Sequence, residues 1–379
     1  MLKTFKYRIY PTKRQETLLN FTIEECRWLY NHLLEQRKKS WEENKKGLSY
    51  YDQCRFIVYL KTERKTLTAI HSQVIQDVAM RLDLAFKSFF RRVKAGEKPG
   101  YPRFKGKGWY DSITFPQAIN GCKLRDNKLS VSKIGSIKIK LSRDLVGKPV
   151  IVTIKRSITN KWYVSFVQEI QPNHLPKTNK SVGIDVGLKT FATLSDGTEI
   201  QNPRFFKSED KTLINAQRKL SKTEKGSKER INRRKIVARV HERIINKRDD
   251  FSHKVSTQII NLYDIICVED LNINRMQENN FKCINKSISD VAWSGFFNKL
   301  SYKAENAGRK LIKVNPAYTT QDCHRCGHRQ KMSLSDRTYE CPCCGLVIDR
   351  DLNAAKNILR LGTQSQKPVR SRLRKARTG

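Results

Sequence analysis

Four cysteines near the C-terminal end of the sequence are spaced as ligands for one metal ion. They form two CxxC pairs, Cys323/Cys326 and Cys341/Cys344, with fourteen residues between the pairs. Two such pairs supply the four thiolates of a tetrahedral zinc site, whereas a redox CxxC motif occurs singly. Cys343 leaves the choice of the fourth ligand open, although the CxxC register favours Cys344. The pattern predicts a closed, structural zinc ribbon at residues 319–348.

Three acidic residues occur where predicted elements end or begin. Asp185 and Glu269 each end a short apolar strand, and Asp351 begins the last predicted helix. A carboxylate at the end of a buried strand is unfavourable unless a cation meets it. Clustered carboxylates bind Mg²⁺, which can activate water and stabilise the leaving oxygen in phosphodiester cleavage. Together the three residues predict a catalytic magnesium site.

Each of these acids also has a structural interpretation when it is considered alone. Asp185 could cap the turn after its strand, Glu269 could pair with a lysine, and Asp351 could cap its own helix. Their joint placement favours the catalytic interpretation. Three neighbouring acids compete for the same roles, and they are Asp270, Asp290 and Asp349.

The charge of the chain is strongly positive. Its 379 residues include 76 Lys and Arg against 36 Asp and Glu, and the net charge is +40. Such a chain repels itself unless polyanions neutralise it, and counterion release from phosphates then drives nucleic-acid binding. A merely solubilising surface and a membrane surface are the weaker interpretations.

Other features of the composition favour a reducing cytoplasm. The first residues lack the apolar region of a secretory signal, and no apolar run approaches the roughly 20 residues of a membrane span. Ten cysteines are present, and those outside the two CxxC pairs are scattered rather than arranged as a disulfide framework. We therefore expect a cytoplasmic protein with no membrane partner.

The elements that must position these residues change character along the chain. Residues 2–10 alternate as a strand, and helical segments follow from residue 11, at about 50–63 and at about 71–94. Within 103–170, five short alternating segments separated by Gly, Asn and Asp turns predict a small barrel.

From residue 181 the pattern becomes α/β. Predicted elements are a hairpin at 182–194, two long helices within 208–262, a strand at 264–269, a helix at 290–308, a strand at 310–314 and a helix at about 350–361. Residues 203–250 carry 16 basic and 7 acidic side chains, so this helix pair is too polar to be only core. Residues 362–379 are basic without an acid, which predicts a disordered tail.

The motifs occur in an order that resembles a known family. GIDVG at Asp185, VEDL at Glu269, the two CxxC pairs and DRDLNAAKNI at Asp351 resemble the RuvC-like nuclease domain of TnpB proteins. The N-terminal FKYRIYPT and the segments PGYPRFK and YDSITF are also similar to that family. TnpB proteins are transposon-encoded RNA-guided DNA endonucleases related to type V CRISPR effectors, and the resemblance covers nearly the whole chain.

The resemblance implies a multidomain α+β architecture. It implies an RNase H-like (RuvC) α/β domain at 181–361 with an inserted zinc ribbon, Asp185, Glu269 and Asp351 being at the catalytic positions. Before it would come a β-barrel wedge domain, formed by 1–10 and 103–175, with a helical recognition domain inserted at 11–102.

The resemblance also implies partners and cofactors. These are a guide RNA from the transposon end, double-stranded target DNA beside a short adjacent motif, structural Zn²⁺ and catalytic Mg²⁺, with one protein per RNA on a prokaryotic nucleoid. By position, we expect the adjacent motif to be read by Tyr50, Tyr51, Gln73, Gln76 and Thr114. A glutamine can bond adenine bidentately in the major groove. The alternative is that the two glutamines only belong to the solvent-exposed face of their helix.

Three other functions remain as alternatives. A nuclease-inactive RNA-guided regulator would be expected to lack some of the three acids. A transposase of the same fold usually orders its acids Asp, Asp, Glu, whereas the order here is Asp, Glu, Asp. A junction resolvase is suggested by the fold alone, and fold does not determine function.

Overall fold

The computed structural model describes residues 1–145, 147–273, 276, 282–333 and 335–364. It divides into two compact units, Met1–Ile170 and Gln171–Gly379. Each unit has its own main hydrophobic core. Within the described ranges, no helix combines the length and the apolar character that crossing a membrane requires.

A seven-stranded antiparallel sheet runs through the first unit. Its strands are β1 (Leu2–Tyr10), β2 (Ser112–Phe115), β3 (Cys122–Arg125), β4 (Lys128–Val131), β5 (Gly135–Lys140), β6 (Pro149–Arg156) and β7 (Trp162–Glu169). Their order in space is β2-β6-β7-β1-β5-β4-β3, so the N-terminal strand lies between β7 and β5. The sheet thus unites the first residues of the chain with strands more than a hundred positions later.

The sheet curls toward a barrel because its two edge strands are consecutive in the chain. β2 ends at Phe115, β3 begins at Cys122, and a short segment with helix α4 (Ala118–Gly121) joins them. Gly121 packs so closely on the ring of Phe115 that an added Cβ would lie 2.2 Å from it. The small barrel predicted from the sequence is therefore confirmed in outline, as a nearly closed sheet. Strand β3 was not predicted.

Three helices lie between β1 and β2: α1 (Lys13–Asn44), α2 (Tyr50–Glu63) and α3 (Ser72–Lys94). Capping boxes begin the first two, with Thr12 and Gln15 at α1 and with Ser49 and Asp52 at α2. The apolar faces of all three helices belong to the same buried cluster as the sheet. The predicted boundary between residues 102 and 103 is therefore not a boundary between hydrophobic cores.

The second unit contains a mixed five-stranded sheet. Its strands are β8 (Ser181–Val186), β9 (Thr190–Leu194), β10 (Glu199–Gln201), β11 (Ile265–Glu269) and β12 (Lys310–Val314). The order is β10-β9-β8-β11-β12, in which β8, β11 and β12 are parallel and the other pairs are antiparallel. A two-stranded sheet, β13 (Thr338–Glu340) with β14 (Val347–Asp349), is separate from it.

Helices surround this sheet: α5 (Phe205–Ser221), α6 (Lys228–Leu262), α7 (Lys282–Val291), α8 (Trp293–Ala307) and α9 (Arg350–Gln364). The helix predicted at 290–308 corresponds to α8 but begins too early, because Ala292 has a left-handed backbone (φ 55°) that separates α7 from α8. Helix α7 was not predicted. Helix α9 packs directly on β8. Gly183 makes this approach possible, since an added Cβ would lie 2.1 Å from the carbonyl oxygen of Ala355.

The predicted basic tail at 362–379 begins too early. Helix α9 continues to Gln364, and Gly362 is buried against the side chain of Cys267. Close helix packing therefore extends the fold past residue 361. The remainder of the predicted tail, 365–379, lies outside the described residues.

Helices α5 and α6 form an antiparallel hairpin with two distinct ends. Near its base, Leu213, Val240 and Ile244 form a small buried cluster. We call residues 214–239 the hairpin tip; none of its side chains is buried. The tip carries ten Lys or Arg and two Glu, a net charge of +8. A helix pair with no apolar core and such a charge is suited to a polyanionic partner.

Candidate metal centres and nucleic-acid interface

The four predicted zinc ligands come together in the second unit. Their sulfur atoms lie within 4.8 Å of one another, with 3.7 Å between Cys323 and Cys344 and 3.5 Å between Cys326 and Cys341. A zinc ion with Zn–S bonds of about 2.3 Å would hold tetrahedral sulfurs about 3.8 Å apart. The cluster therefore has the size and donor chemistry of a zinc site. Among the described residues, no other group of three or more His, Cys, Asp or Glu has ligand atoms as close.

Each cysteine pair lies on the same backbone turn. The N–H of Cys323 donates to the carbonyl of His328 at 2.8 Å, and the N–H of Gly327 donates to the carbonyl of Cys323 at 2.9 Å. The second turn repeats both hydrogen bonds at matching positions. Gly327 and Gly345 have φ of 79° and 68°, a region where a side chain is strained. The repeated sequence C-x-x-C-G is the signal for these knuckles, and our sequence analysis missed its glycine.

The structure distinguishes the two adjacent cysteines of the second knuckle. Cys343 is exposed, whereas the sulfur of Cys344 belongs to the cluster. Burial acts to raise the pKa of the Cys341 thiol, but the N–H groups of Cys344 and Cys343 and the neighbouring sulfurs outweigh it and lower the pKa to about 6. Since the thiolate is the form that binds metal, this knuckle favours a bound cation.

Sheet register places Asp185 and Glu269 beside each other. Ile184 of β8 pairs with Val268 of β11, so the next residue of each parallel strand is one of the two acids. Neighbouring strands lie about 4.8 Å apart. Asp351 enters from the first turn of α9, the helix that packs on β8. Two strand ends and a helix start thus converge at one edge of the sheet.

Asp185 is the most perturbed acid of this cluster. Burial raises its pKa well above the usual range, and the charges of Glu269 and Asp351 raise it further. The Arg350 guanidinium and a backbone hydrogen bond at Val186 oppose these effects without cancelling them. A buried carboxylate among other carboxylates favours either a proton or a metal cation.

Glu269 is held by one specific contact. The hydroxyl of Thr319 donates to its Oε1 at 2.5 Å. Burial raises the pKa of Glu269, and the hydrogen bond from Thr319 acts in the opposite direction. Lys313, on the strand beside Glu269, pairs with Asp270 at 2.9 Å rather than with Glu269.

Asp351 does not cap its own helix. The carboxylate of Asp349 accepts hydrogen bonds from the N–H groups of Asp351 and Leu352, at 2.9 and 3.0 Å. The side chain of Asp351 instead contacts Arg350 at 3.3 Å and lies 3.9 Å from Arg337. Because Asp349 satisfies the helix terminus, the Asp351 carboxylate can face the other two acids.

The competing acids have structural partners of their own. Asp270 forms an exposed ion pair with Lys313. Asp290 accepts hydrogen bonds from Arg248 at 2.5 Å and from the N–H of Phe206 at 3.0 Å. Asp349 caps α9, so all three competing acids are engaged in structural contacts. Asp351 also has ion-pair partners, Arg350 and Arg337.

The three carboxylates fit a divalent cation by their chemistry. All are oxygen donors of the kind that Mg²⁺ prefers, and burial raises the pKa of Asp185, an effect that the charges of Glu269 and Asp351 reinforce.

Four of the five candidate motif-reading residues line one cavity of about 410 Å³ in the first unit. They are Tyr50, Gln73, Gln76 and Thr114. Tyr51 is 72% exposed and is not among the lining residues. The cavity brings together side chains from α2, α3 and β2, three elements that lie apart in the sequence.

The polar groups of this cavity are partly committed to one another. Gln73 donates to Gln117 at 2.9 Å, so it is not simply a solvated glutamine. The Thr114 hydroxyl accepts from Arg81 at 2.6 Å, and this arginine is also paired with Asp77. Gln76 is exposed. The preformed contacts fix the cavity wall, while Gln76 keeps an amide available at its rim.

Comparison with known proteins identifies the family. A family model described as "Probable transposase" matches residues 165–280, and one described as "Cas12f1-like, TNB domain" matches residues 293–358. A "Helix-turn-helix domain" model matches residues 1–46, where the structure has a strand followed by one long helix.

Two relatives align over nearly the whole chain. One is "Putative RNA-guided DNA endonuclease" of Streptomyces pristinaespiralis, at 34% identity over 95% of this chain and 89% of that protein. The other is "Putative RNA-guided DNA endonuclease InsQ" of Escherichia coli (strain K12), at 32% identity over 95% and 92%. The chain belongs to the TnpB family. The resemblance inferred from the motifs is thereby confirmed.

This TnpB-family chain shares its fold with two solved structures. The "Cas12f1-sgRNA-target DNA complex" matches 94% of this chain and 98% of that chain, with a TM-score of 0.55 and 15% identity. The "mini-RNA-guided endonuclease CRISPR-Cas_phi3" matches 97% and 93%, with a TM-score of 0.52 and 12% identity. At these identities the likeness concerns the fold.

Proposed function

We propose that this TnpB-family protein is an RNA-guided DNA endonuclease that cleaves at Asp185, Glu269 and Asp351. The observation that carries the proposal is the convergence of these carboxylates at one edge of the five-stranded sheet, with a raised pKa at Asp185. Asp351 has Arg350 and Arg337 beside it, whereas no described basic side chain forms an ion pair with Asp185 or Glu269. The cluster is therefore prepared for a cation and for a substrate that brings its own oxygens.

The residues of the cluster have different roles in binding the cation. Asp185 and Glu269 supply oxygens from adjacent strand ends, and Asp351 supplies them from the helix above. Bound Mg²⁺ would supply an activated water and charge stabilisation for the leaving oxygen. Arg350 offsets part of the negative charge at Asp185. Thr319 engages one oxygen of Glu269, which leaves the second oxygen available.

We further propose that the cysteine cluster binds structural zinc. Four thiolates complete a tetrahedron, so no coordination position remains for water or substrate. The ribbon is then a support for its neighbours rather than a second catalytic centre.

The proposed nucleic-acid partners are a guide RNA from the transposon end and double-stranded target DNA, with one protein per RNA and the prokaryotic nucleoid as the place of action. We assign the barrel-like sheet to a wedge role and helices α1–α3 to recognition of the guide–target duplex. Phosphate contacts account for the excess of basic residues, and the hairpin tip offers the densest run of them.

The cavity formed by Tyr50, Gln73, Gln76 and Thr114 is proposed to read the adjacent motif. Gln76→Ala should broaden the sequence preference at one position, because a bidentate glutamine–adenine contact is worth about 1–3 kcal/mol. Cleavage of a library with randomised flanking bases measures the preference. Gln258→Ala is the matched control, since Gln258 is an exposed glutamine of α6 outside the cavity, and an equal loss of preference in both variants would contradict the assignment.

The decisive experiment is purification from cells that carry the flanking DNA of the gene, followed by sequencing of the bound RNA. We expect one discrete RNA that ends in a variable segment. DNA matching that segment should then be cut by the wild type and not by Asp185→Asn. Heterogeneous RNA, or cleavage of branched DNA without RNA, would contradict the proposal, and joined DNA products would favour a transposase.

A further inference from the structure

A short segment connects the catalytic edge of the sheet to the first cysteine knuckle. Residues 315–322, which we call the strap, join the end of β12 to Cys323. Thr319, in the middle of the strap, is 3% exposed. Its hydroxyl lies 2.5 Å from Oε1 of Glu269 and 3.1 Å from the carbonyl of Pro316. A hydroxyl has one proton to donate, and an ionised carboxylate is the stronger acceptor.

Two buried asparagines of α9 hold the strap. The side-chain amide of Asn357 donates to the carbonyl of Thr319 at 2.9 Å and to the carbonyl of Asp322 at 2.6 Å. The amide of Asn353 donates to the same Asp322 carbonyl at 2.8 Å. Both asparagines are at most 1% exposed. Loss of a buried amide partner is costly, so these contacts fix the strap.

The network continues into the cysteine knuckle. The side-chain oxygen of Asn353 accepts a hydrogen bond from the N–H of His324 at 3.0 Å. His324 lies between Cys323 and Cys326, so the amide contacts the loop that these two sulfurs enclose. Asn353 and Asn357 are one helical turn apart and therefore share a face of α9. The same helix carries Asp351 at its start.

We infer that Thr319 is a positioning residue for Glu269, and that Asn353 and Asn357 tie it to the cysteine knuckle, so that an ordered knuckle sets the orientation of the second carboxylate. The inference deepens the proposed function, because it rests on Glu269 being a ligand of the divalent cation. Without Thr319 the carboxylate is free to rotate, and its binding to a cation must then include the cost of ordering it. Groups that hold metal ligands typically change metal affinity by about 10–100-fold when they are removed.

Thr319→Val tests the inference, because it keeps the shape of the side chain and removes the hydroxyl. The measurement is calorimetric Mn²⁺ binding to zinc-loaded protein without nucleic acid. We expect Thr319→Val to bind Mn²⁺ about 10–100-fold more weakly than the wild type. Thr319→Ser should recover most of that affinity, since it keeps the hydroxyl. Asp185→Asn identifies the binding signal that belongs to the carboxylate site.

Thr363→Val is the matched control. Thr363 lies on the same helix as the asparagines, and among the described residues its hydroxyl bonds only to carbonyls of that helix, Leu359 and Arg360. It should bind Mn²⁺ like the wild type. The link to the knuckle is tested by combining Thr319→Val with Asn357→Ala, which should weaken Mn²⁺ binding no more than Thr319→Val alone, because Asn357 acts through Thr319. Additive losses in the double variant would overturn the link.

Equal Mn²⁺ affinity in Thr319→Val and the wild type would overturn the positioning role, and so would a failure of Thr319→Ser to recover affinity. Because binding is measured without RNA or DNA, these outcomes are distinguishable from failure of the proposed function. A protein that binds Mn²⁺ as expected but cuts no guided target would retain the positioning role and lose the guided activity.

Discussion

The four cysteines and the three carboxylates of the second unit are both clusters of metal-ligand groups, yet their surroundings differ. The sulfurs lie within 4.8 Å of one another on two matching turns, and backbone N–H groups favour the thiolate at Cys341. At the carboxylates, two negative neighbours add to the effect of burial on Asp185. The knuckles are preformed around a cation, whereas the carboxylate cluster is unfavourable until one binds. Loss of one ligand should therefore change stability in opposite directions at the two places.

The largest effect on stability is expected at the cysteines. Cys341→Ser should lose zinc and lower the melting temperature strongly, because structural zinc contributes about 10–16 kcal/mol of apparent binding energy to small zinc domains. Cys343→Ser is the matched control and should keep both zinc and stability, since Cys343 is exposed outside the cluster. Zinc content and thermal unfolding measure the outcome. Retention of zinc by Cys341→Ser would contradict the role of Cys341 as a zinc ligand.

Asp185→Asn should behave in the opposite way. Guided cleavage should fall about 10³-fold or more, because metal catalysis contributes several kcal/mol and each 1.4 kcal/mol is a factor of ten. Guide RNA binding should persist. Without added Mg²⁺ the variant should unfold at a higher temperature than the wild type, because a buried charge has been removed. Cleavage that survives this change would contradict the catalytic assignment.

The pH dependence of stability sharpens the comparison further. The pKa values of Asp185 and Glu269 are raised in the folded protein. A raised pKa means that the folded state holds the proton more tightly. The associated stability is complete below the unfolded pKa, about 4, and is lost as pH rises through the folded pKa. In zinc-loaded protein without Mg²⁺, the stability advantage of Asp185→Asn should therefore grow between pH 4 and pH 8.

Thermal unfolding of both proteins across this pH range measures the difference, and Mn²⁺ provides the control. Added Mn²⁺ should stabilise the wild type at pH 8 more than it stabilises Asp185→Asn. A constant difference between the two proteins at every pH would show that Asp185 does not titrate as its surroundings indicate.

The smallest effect is expected beyond α9. Truncation after Gln364 should change stability by no more than about 0.5 kcal/mol. It should make nucleic-acid binding less sensitive to salt, since it removes six basic residues. Truncation after Leu361 should cost more, because it removes Gly362 from its contact with Cys267. Equal melting temperatures for the two truncations would contradict the extended helix.

Much of the fold could be predicted because local pattern and tertiary structure agree. Strand β7 alternates between buried and partly exposed residues along its whole length, and the pattern of its sequence already shows this. Strand β3 was missed because Cys122–Arg125 offers one leucine among basic residues. The break between α7 and α8 lies at Ala292 rather than at a glycine or proline. It therefore could not be predicted from the sequence and is seen only in the structure.

Part of the candidate site could also be predicted from the sequence, and part could not. The sequence could single out Asp185, Glu269, Asp351 and the CxxC cysteines because each has a position with a chemical reason. The structure brings the cysteine sulfurs together, and the catalytic role of the three acids stays a prediction. The role of Asp349 was also available from the sequence, since an aspartate directly before the first helical residue is a common cap. The contact between Thr319 and Glu269 was not available, because fifty residues separate the two partners and only the folded chain brings them together.

The position of β1 has a consequence for folding during synthesis. Leu2 pairs with Glu169, so the strand that leaves the ribosome first sits between two strands that are made much later. At synthesis rates of about 5–20 residues per second, β1 must wait roughly ten seconds or more for β7. Helices α1–α3 can form in that interval from local contacts. The barrel-like sheet closes only afterwards, so a chaperone that shields residues 2–10 during this time would favour correct assembly.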